Sequence, residues 1–286
     1  MGKAKSRLYK VFIRYSKSFL FARPVSRIFR HFIVEVLMRQ HYEFGLRNVF
    51  LVFNRSIGAL LVNGPEYSVY CLRYEKKPVK VFKCLLKKLK RGIFIDVGAY
   101  VGFYTALAAK HGWRVVCFEP NPLSLILLRY NINLHKLGSR VRIVGKATGD
   151  EHGYALLTIA PNPSWSSITK CLRNGTKLLN VVVEIETIDS VVNSLGVSSD
   201  VNLLLKVDVK GFGLNVLKGA MKTIRELKPF ILFEVHRTFD EEDEIHALRI
   251  LRDIGYGFVV LEPRSKENFV VYAYPRERGC LCCEQT

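Results

Sequence analysis

Asp96, Gly98, Gly102 and Glu119 are the residues whose types and spacing most clearly imply chemistry. Phe94-Ile95-Asp96-Val97-Gly98-Ala99-Tyr100-Val101-Gly102 reads as an apolar strand running into a glycine-bearing turn and then a helix. Ligands bind at the carboxyl ends of such strands. Gly98 lets the backbone turn sharply and approach a ligand, and Gly102 permits close packing where the helix begins. A nicotinamide dinucleotide loop would need Gly-x-Gly-x-x-Gly, and Tyr100 occupies the second glycine position. The acid at the strand end suits a cofactor with a cationic amino-acid part. Glu119 follows Gly98 by 21 residues and ends the next strand. An acid there can accept both hydroxyls of a ribose.

A second group lies further along. Lys206 and Asp208 end one strand, and Glu234 and His236 end the next. All four are expected to project toward one cleft. His236 is the candidate general base, because an unperturbed imidazole titrates near neutrality. The plainer alternative is a structural Lys206–Asp208 ion pair, with Glu234 and His236 bracing a strand end. No metal site is expected. Cys280-x-Cys282-Cys283 is too short for a four-ligand site without partners elsewhere, and a flexible tail is the expectation there. Trp165, with Ser164, Ser166 and Ser167, is read either as a lid element or as a loop aromatic packed on the domain.

These groups must be positioned by regular elements. From Ile93 the pattern alternates strand and helix, with strands over 93–97, 115–118, 141–144, 201–207 and 230–235. Helices are expected over 102–111, 122–137 and 214–226, and a terminal hairpin over 257–261 and 269–274. Such alternation implies a doubly wound, mostly parallel α/β sheet of Rossmann-like class, closed by a C-terminal antiparallel hairpin. Residues 153–187 interrupt the rhythm with strand-like pieces, Tyr154–Ile159 and Val181–Ile188, and read as an insertion beside the active site. The preceding segment is different. Residues 6–40 read as one or two amphipathic helices, and 48–73 as a small β-meander of three short apolar runs. A basic helix follows from about Pro78 to Lys90. The expected division is therefore a basic N-terminal segment over 1–92, a catalytic domain over 93–278 and a cysteine-bearing tail over 279–286.

The 286 residues carry a formal net charge of +19. The first 92 residues hold 21 Lys/Arg against 4 Asp/Glu, so nearly all of the excess lies there. A concentrated positive field attracts phosphate-rich partners. The aromatic and basic stripes over 6–40 suggest an anionic membrane surface, with two alternatives: the apolar stripe packs on the catalytic domain and the charges are merely solvated, or the segment binds nucleic acid. No apolar run is long enough to span a membrane, and no secretory signal is read. The seven cysteines are scattered and odd in number, which makes reduced thiols in a cytoplasmic protein, peripheral at most on the inner face of the membrane, the expectation.

Several ordered blocks together resemble the FkbM family of S-adenosylmethionine-dependent methyltransferases. They are Phe94–Thr105, Phe118-Glu119-Pro120-Asn121-Pro122, Asn131, Lys146-Ala147-Thr148-Gly149-Asp150, Glu186-Thr187-Ile188-Asp189, Lys206–Phe212, Val216–Ala220 and Phe233-Glu234-Val235-His236. The resemblance runs from about Phe94 to His236. It implies a class I methyltransferase that binds S-adenosylmethionine through Asp96, Gly98, Tyr100, Gly102, Thr105, Glu119 and Ala147. It also implies methyl transfer to oxygen, on a glycan, a lipid-linked acceptor or a small molecule. Where the family has Lys-Ile-Asp-Val-Glu-Gly-Phe-Glu, this chain has Lys206-Val207-Asp208-Val209-Lys210-Gly211-Phe212-Gly213, so both glutamates are missing. Two other readings stay open: an RNA ribose methyltransferase using Lys206, Asp208, Lys210 and Glu234, and a cofactor-binding protein that has lost catalysis.

Overall fold

The computed structural model describes residues 49–54, 56–63, 76–160, 166–168, 179–263 and 268–286. The helices expected over 6–40, the third meander run at 67–70 and Trp165 lie outside them, and the expected membrane-facing surface with them. Among the described residues, no helix is long and apolar enough to cross a membrane.

The chain opens with a hairpin of β1 (Val49–Asn54) and β2 (Gly58–Asn63), followed by α1 (Lys76–Lys88). Then come β3 (Ile93–Val97), α2 (Phe103–Lys110), β4 (Arg114–Phe118), α3 (Pro122–Leu134) and β5 (Val141–Val144). Next are β6 (Ala147–Thr148), β7 (Gly153–Ile159), β8 (Leu179–Glu186), α4 (Ile188–Ser194) and β9 (Leu203–Val207). The chain ends with α5 (Gly213–Lys218), α6 (Met221–Leu227), β10 (Phe230–His236), α7 (Arg237–Asp253), β11 (Tyr256–Pro263) and β12 (Asn268–Pro275).

Seven strands form the central sheet in the order β11-β12-β10-β9-β3-β4-β5. The five from β5 to β10 are parallel, and β12 runs antiparallel to both β10 and β11. This is the doubly wound sheet with a terminal hairpin that the sequence implies. β3, β9 and β10 are buried along their whole length. That explains their near-continuous apolar runs, since a parallel sheet is covered on both faces. One core joins the sheet to α1, α2 and α3, and a second joins it to α4 through α7. Strand order reverses between β3 and β9, and the register there places Asp96 beside Lys206. The crevice beyond that reversal is where such sheets bind ligands.

Among the side chains that tie the N-terminal hairpin to the domain, Asn131 also reaches the glycine turn. Asn131 on α3 is fully buried. Its Oδ1 accepts from Leu61 N at 2.7 Å, while its Nδ2 donates to Leu61 O at 2.9 Å and Val101 O at 2.8 Å. Asn131→Ala is expected to cost about 3 kcal/mol, because it strands buried backbone groups as well as losing the bonds. Urea unfolding checks this, and a loss below about 1 kcal/mol would mean that water replaces the amide.

The strand-like pieces read over 154–159 and 181–188 are β7 and β8, which pair antiparallel, and β6 joins β8 in parallel to complete a second small sheet. Two features differ from the sequence expectation. The helix expected over 214–226 breaks into α5 and α6. At the break, a Cβ on Gly219 would lie 1.8 Å from Gly149 O, so the two backbones touch. Asp189 then caps the new helix, accepting from Thr223 N at 2.8 Å and Lys222 N at 3.0 Å. The C-terminal residues are neither a free tail nor all reduced. Cys84 pairs with Cys282 and Cys280 with Cys283. Cys282 is buried, and Leu281 packs on the same apolar cluster as α1, which is why the turn docks rather than floats. Cys117 is a buried free thiol.

Candidate functional site

The turn after β3 is built by backbone geometry that only particular residues permit. Gly98 has φ +77°, and a Cβ there would sit 2.0 Å from the carbonyl oxygen of Asp208. Gly98 N and Ala99 N both donate to Phe118 O, at 3.1 and 3.0 Å, which folds the turn over the end of β4. Gly102 has φ +87°, and a Cβ would meet Leu128 at 2.4 Å, so α2 starts hard against α3. Tyr100 also lies in the left-handed region, at φ +52°. Its contribution to the turn is its backbone: Tyr100 N donates to Glu119 Oε2 at 2.7 Å.

Glu119 closes this loop. Its Oε1 accepts from Asn121 N at 3.0 Å. Burial pushes its carboxyl up to about 7, against the pull of the Asn121 and Tyr100 amides. Asn121 in turn caps α3 through Leu123 N at 3.0 Å and donates to Ser166 Oγ at 3.0 Å. Asp96 is buried, and Thr105 Oγ1 on α2 donates to its Oδ2 at 2.6 Å. Its Oδ1 has no hydrogen-bond partner among the described residues. Burial raises the Asp96 pKa, with Lys206 and Thr105 opposing. Thr105 therefore braces Asp96 from inside the protein. Ala147 opens β6 and is buried among Leu157, Ile159 and Val183 with Leu123 beside them, so its side chain belongs to the small second core.

The four residues expected at the ends of β9 and β10 do converge. Lys206 Nζ lies 2.9 Å from Asp208 Oδ2. His236 Nε2 lies 3.4 Å from Asp208 Oδ1 and 3.6 Å from Glu234 Oε1. Burial opposes the charge of Asp208, yet Lys206, Lys210 and the His236 hydrogen bond hold its carboxyl well below the usual range. Lys206 pays a burial penalty too, but Asp208 and Asp96 more than offset it and raise its pKa. Burial and the Asp208 charge push Glu234 up to about 8. His236 is fully buried, and burial plus Lys210 drive its pKa down to about 4. The premise that made it the favoured base, an unperturbed imidazole, therefore does not hold.

Lys210 belongs to this cluster; in the sequence it stands out as a missing family glutamate and as one of the four residues of the RNA reading. Its Nζ lies 3.1 Å from His236 Nε2 and 3.7 Å from Asp208 Oδ1. The signal was present: Lys206, Asp208 and Lys210 alternate, and residues two apart share a face in extended chain. The small second sheet reaches the same place, because Ser167 Oγ donates to Lys210 O at 2.7 Å. Lys210 and Asp208 are the partly exposed members, while Lys206, Glu234 and His236 are buried behind them.

A family model, the methyltransferase FkbM domain, matches residues 96–258, more than half of the chain. The chain belongs to the FkbM methyltransferase family. Among solved structures, it is similar to the FkbM methyltransferase from Methylobacillus flagellatus KT, at 18% identity and a TM-score of 0.48. That alignment covers 65% of this chain and only 44% of the other, so the chain spans less than half of that protein. It is also similar to the O-methyltransferase from Bacillus cereus solved with SAH, at 12% identity over 69% of this chain and 81% of that one, with a TM-score of 0.41. No curated protein matches the chain.

The second departure from the family motif also has a structural counterpart. A Cβ at Gly213 would fall 2.6 Å from Phe233 Cζ and 3.0 Å from Glu244 Oε2. The space beside residue 213 is thus taken by a carboxylate arriving from α7. Asp208, Glu234 and His236 could each offer one metal ligand atom, all within 4.8 Å of one another. The ammonium groups of Lys206 and Lys210 already stand against Asp208, however, and supply the positive charge that a divalent ion would bring.

Proposed function

We propose that the chain is an S-adenosylmethionine-dependent O-methyltransferase acting on a hydroxyl of a glycan, a lipid-linked acceptor or a small molecule. The observation that carries this reading is the meeting of the Asp96–Gly102 turn with Glu119 on one side of the crevice and the Asp208–Lys210 cluster on the other. The residues fit the cofactor. Asp96 keeps one buried carboxylate oxygen unengaged beside a glycine turn, and Glu119 offers an acceptor held by two backbone amides. Asp96 would hold the amino-acid part and Glu119 the ribose. When bound, S-adenosylmethionine supplies a methyl group already activated on a sulfonium.

The chain's own residues then act on the acceptor. Asp208, kept ionised by its lysines, accepts a hydrogen bond from the acceptor hydroxyl and orients it. The Lys210 ammonium stabilises charge growing on the oxygen, an effect strengthened by the low dielectric around it. The cluster holds no strong base at neutral pH, since Asp208 and His236 are both shifted to low pKa. Activation of the acceptor oxygen therefore rests on the lysines, and the hydroxyl proton leaves to water past the partly exposed Asp208 and Lys210. A ribose hydroxyl of RNA is the second reading, favoured by two lysines flanking one aspartate beside Glu234. Transfer of a labelled methyl group to a cell extract, fractionated into glycolipid, small-molecule and RNA pools, tests both. Label confined to RNA would replace the first reading with the second, and label in protein alone would sink both.

Cofactor binding has its own test. Glu119→Gln is expected to weaken S-adenosylmethionine binding by about 1.5–3 kcal/mol in calorimetric titration. The pH dependence has a definite sign. With its carboxyl near 7, Glu119 of the free protein carries a proton at pH 6 and has lost it at pH 8. The carboxylate is the better acceptor of two hydroxyls, so affinity should rise as pH rises through 7. The Gln variant should lack that rise. Equal affinity in both proteins at both pH values would remove Glu119 from the site.

A further inference from the structure

The C-terminal turn brings three cysteines, one fewer than a closed zinc site requires. The fold supplies the fourth. Cys84 on α1 lies 198 residues from Cys282 in sequence, yet their Cα atoms are 6.1 Å apart. Cys280 and Cys283 are 5.7 Å apart, and Cys283 adjoins Cys282 in the chain. Because Cys282 and Cys283 are consecutive, the chain holds both pairs in one turn packed on α1. We propose that in the reduced protein Cys84, Cys280, Cys282 and Cys283 bind one zinc ion, and that the two disulfides are the oxidised, metal-free form of the same site.

Ligand number and type come first. Four thiolates around a tetrahedral ion make a closed structural site, and Cys280-x-x-Cys283 has a common ligand spacing. Charge is a second, independent observation. Zinc with four thiolates carries two net negative charges, and the surrounding segment is set up to neutralise them. From Lys76 to Arg91 the chain has eight Lys/Arg residues and no Asp or Glu. Lys87 and Lys88 follow Cys84 by three and four positions, the neighbours of Cys84 along a helix face. Lys88 Nζ already donates to Leu281 O, inside the cysteine turn. Cations beside a thiol favour the thiolate, which is the form that binds metal. Burial is graded in a useful way: Cys282 is enclosed and Cys283 is exposed, leaving one side open for metal entry.

The two forms interconvert with balanced chemistry. Four equivalents of a small-molecule thiol reduce the two protein disulfides and leave as two disulfides of their own. Zinc then displaces four protons from the four cysteine thiols. In the reverse direction a disulfide oxidant takes four electrons from the thiolates and the ion is released. In either form the C-terminus is clamped to α1, which packs against β11 and β12 at the edge of the sheet.

Cobalt(II) is the probe, because its spectrum reports both thiolate ligation and tetrahedral geometry. The full chain, reduced without oxygen, should take up one cobalt ion with thiolate charge-transfer and tetrahedral bands, and one equivalent of zinc should displace it. Oxidation to the two disulfides should release the metal. Cys84→Ser and Cys283→Ser should each lose the tetrathiolate spectrum, and the exposure of Cys283 makes its variant the safer one to fold. Reduced protein with all thiols free and no metal uptake would overturn the proposal. So would an unchanged spectrum in both variants. No methyl donor enters the experiment, so its outcome stands apart from that of the proposed activity.

Discussion

Gly98→Ala is expected to abolish binding of the methyl donor and to cost the fold on the order of 3–5 kcal/mol. Two penalties combine. The backbone at Gly98 has φ +77°, where a Cβ is disfavoured by about 1–2 kcal/mol. The added carbon would also fall 2.0 Å from Asp208 O, which is backbone and cannot rotate away. Asp208 is held in turn, since its N donates to Val97 O at 3.0 Å. Relief of the clash must therefore part the β3 turn from the end of β9, the two walls of the crevice. Gly112→Ala is the control. Gly112 also has positive φ, at +87°, but a Cβ there meets nothing within 4 Å. It should show the backbone strain alone, about 1 kcal/mol, with donor binding intact. Urea unfolding and calorimetry on both proteins decide the matter. Equal losses in the two would mean that the contact with Asp208 is not what holds the crevice together.

Asp208→Asn is expected to lower methyl transfer at least ~100-fold and stability by about 3 kcal/mol, while donor affinity changes far less. The variant leaves Lys206 buried without the carboxylate that stands 2.9 Å from its ammonium. Breaking one side of a buried pair is costly, because it leaves the Lys206 charge out of water with only the weaker pull of Asp96 and Glu234 to offset its burial. Replacing both members, as Lys206→Met with Asp208→Leu, should restore part of the stability but none of the activity. The pH dependence separates the ionic contribution from packing. Asp208 has a folded pKa held well below its ordinary value. Its stabilisation is therefore full above about pH 4 and is lost as pH falls toward the depressed value. The stability gap between wild type and Asp208→Asn should narrow on acidification below that point. A gap independent of pH would show that the loss is steric.

What was legible in the sequence was what local pattern encodes. β3, the glycine turn and α2 occupy one continuous stretch, so the types and spacing of Asp96, Gly98 and Gly102 exposed the cofactor side of the site. The strands that build the sheet are short apolar runs because both of their faces are covered, and that too is written residue by residue. The paired β11 and β12 announced themselves through the turn between them. The basic excess of the first 92 residues is likewise a property of composition.

Only the tertiary structure decided the rest, because it depends on groups far apart in the chain. His236 reads as a neutral-pH base until burial and the Lys210 ammonium lower its pKa, and neither influence can be seen from residue 236 alone. Lys210 reads as the loss of an acid until β9 and β10 bring it onto Asp208 and His236. Gly219 looks like an ordinary helix residue until Gly149, seventy positions earlier, packs against its backbone and splits α5 from α6. The last three cysteines look like an end without partners until α1 delivers Cys84. Sequence period specifies each element and the face it buries. Burial, charge pairing and ligand count arise only when elements from distant parts of the chain are packed together.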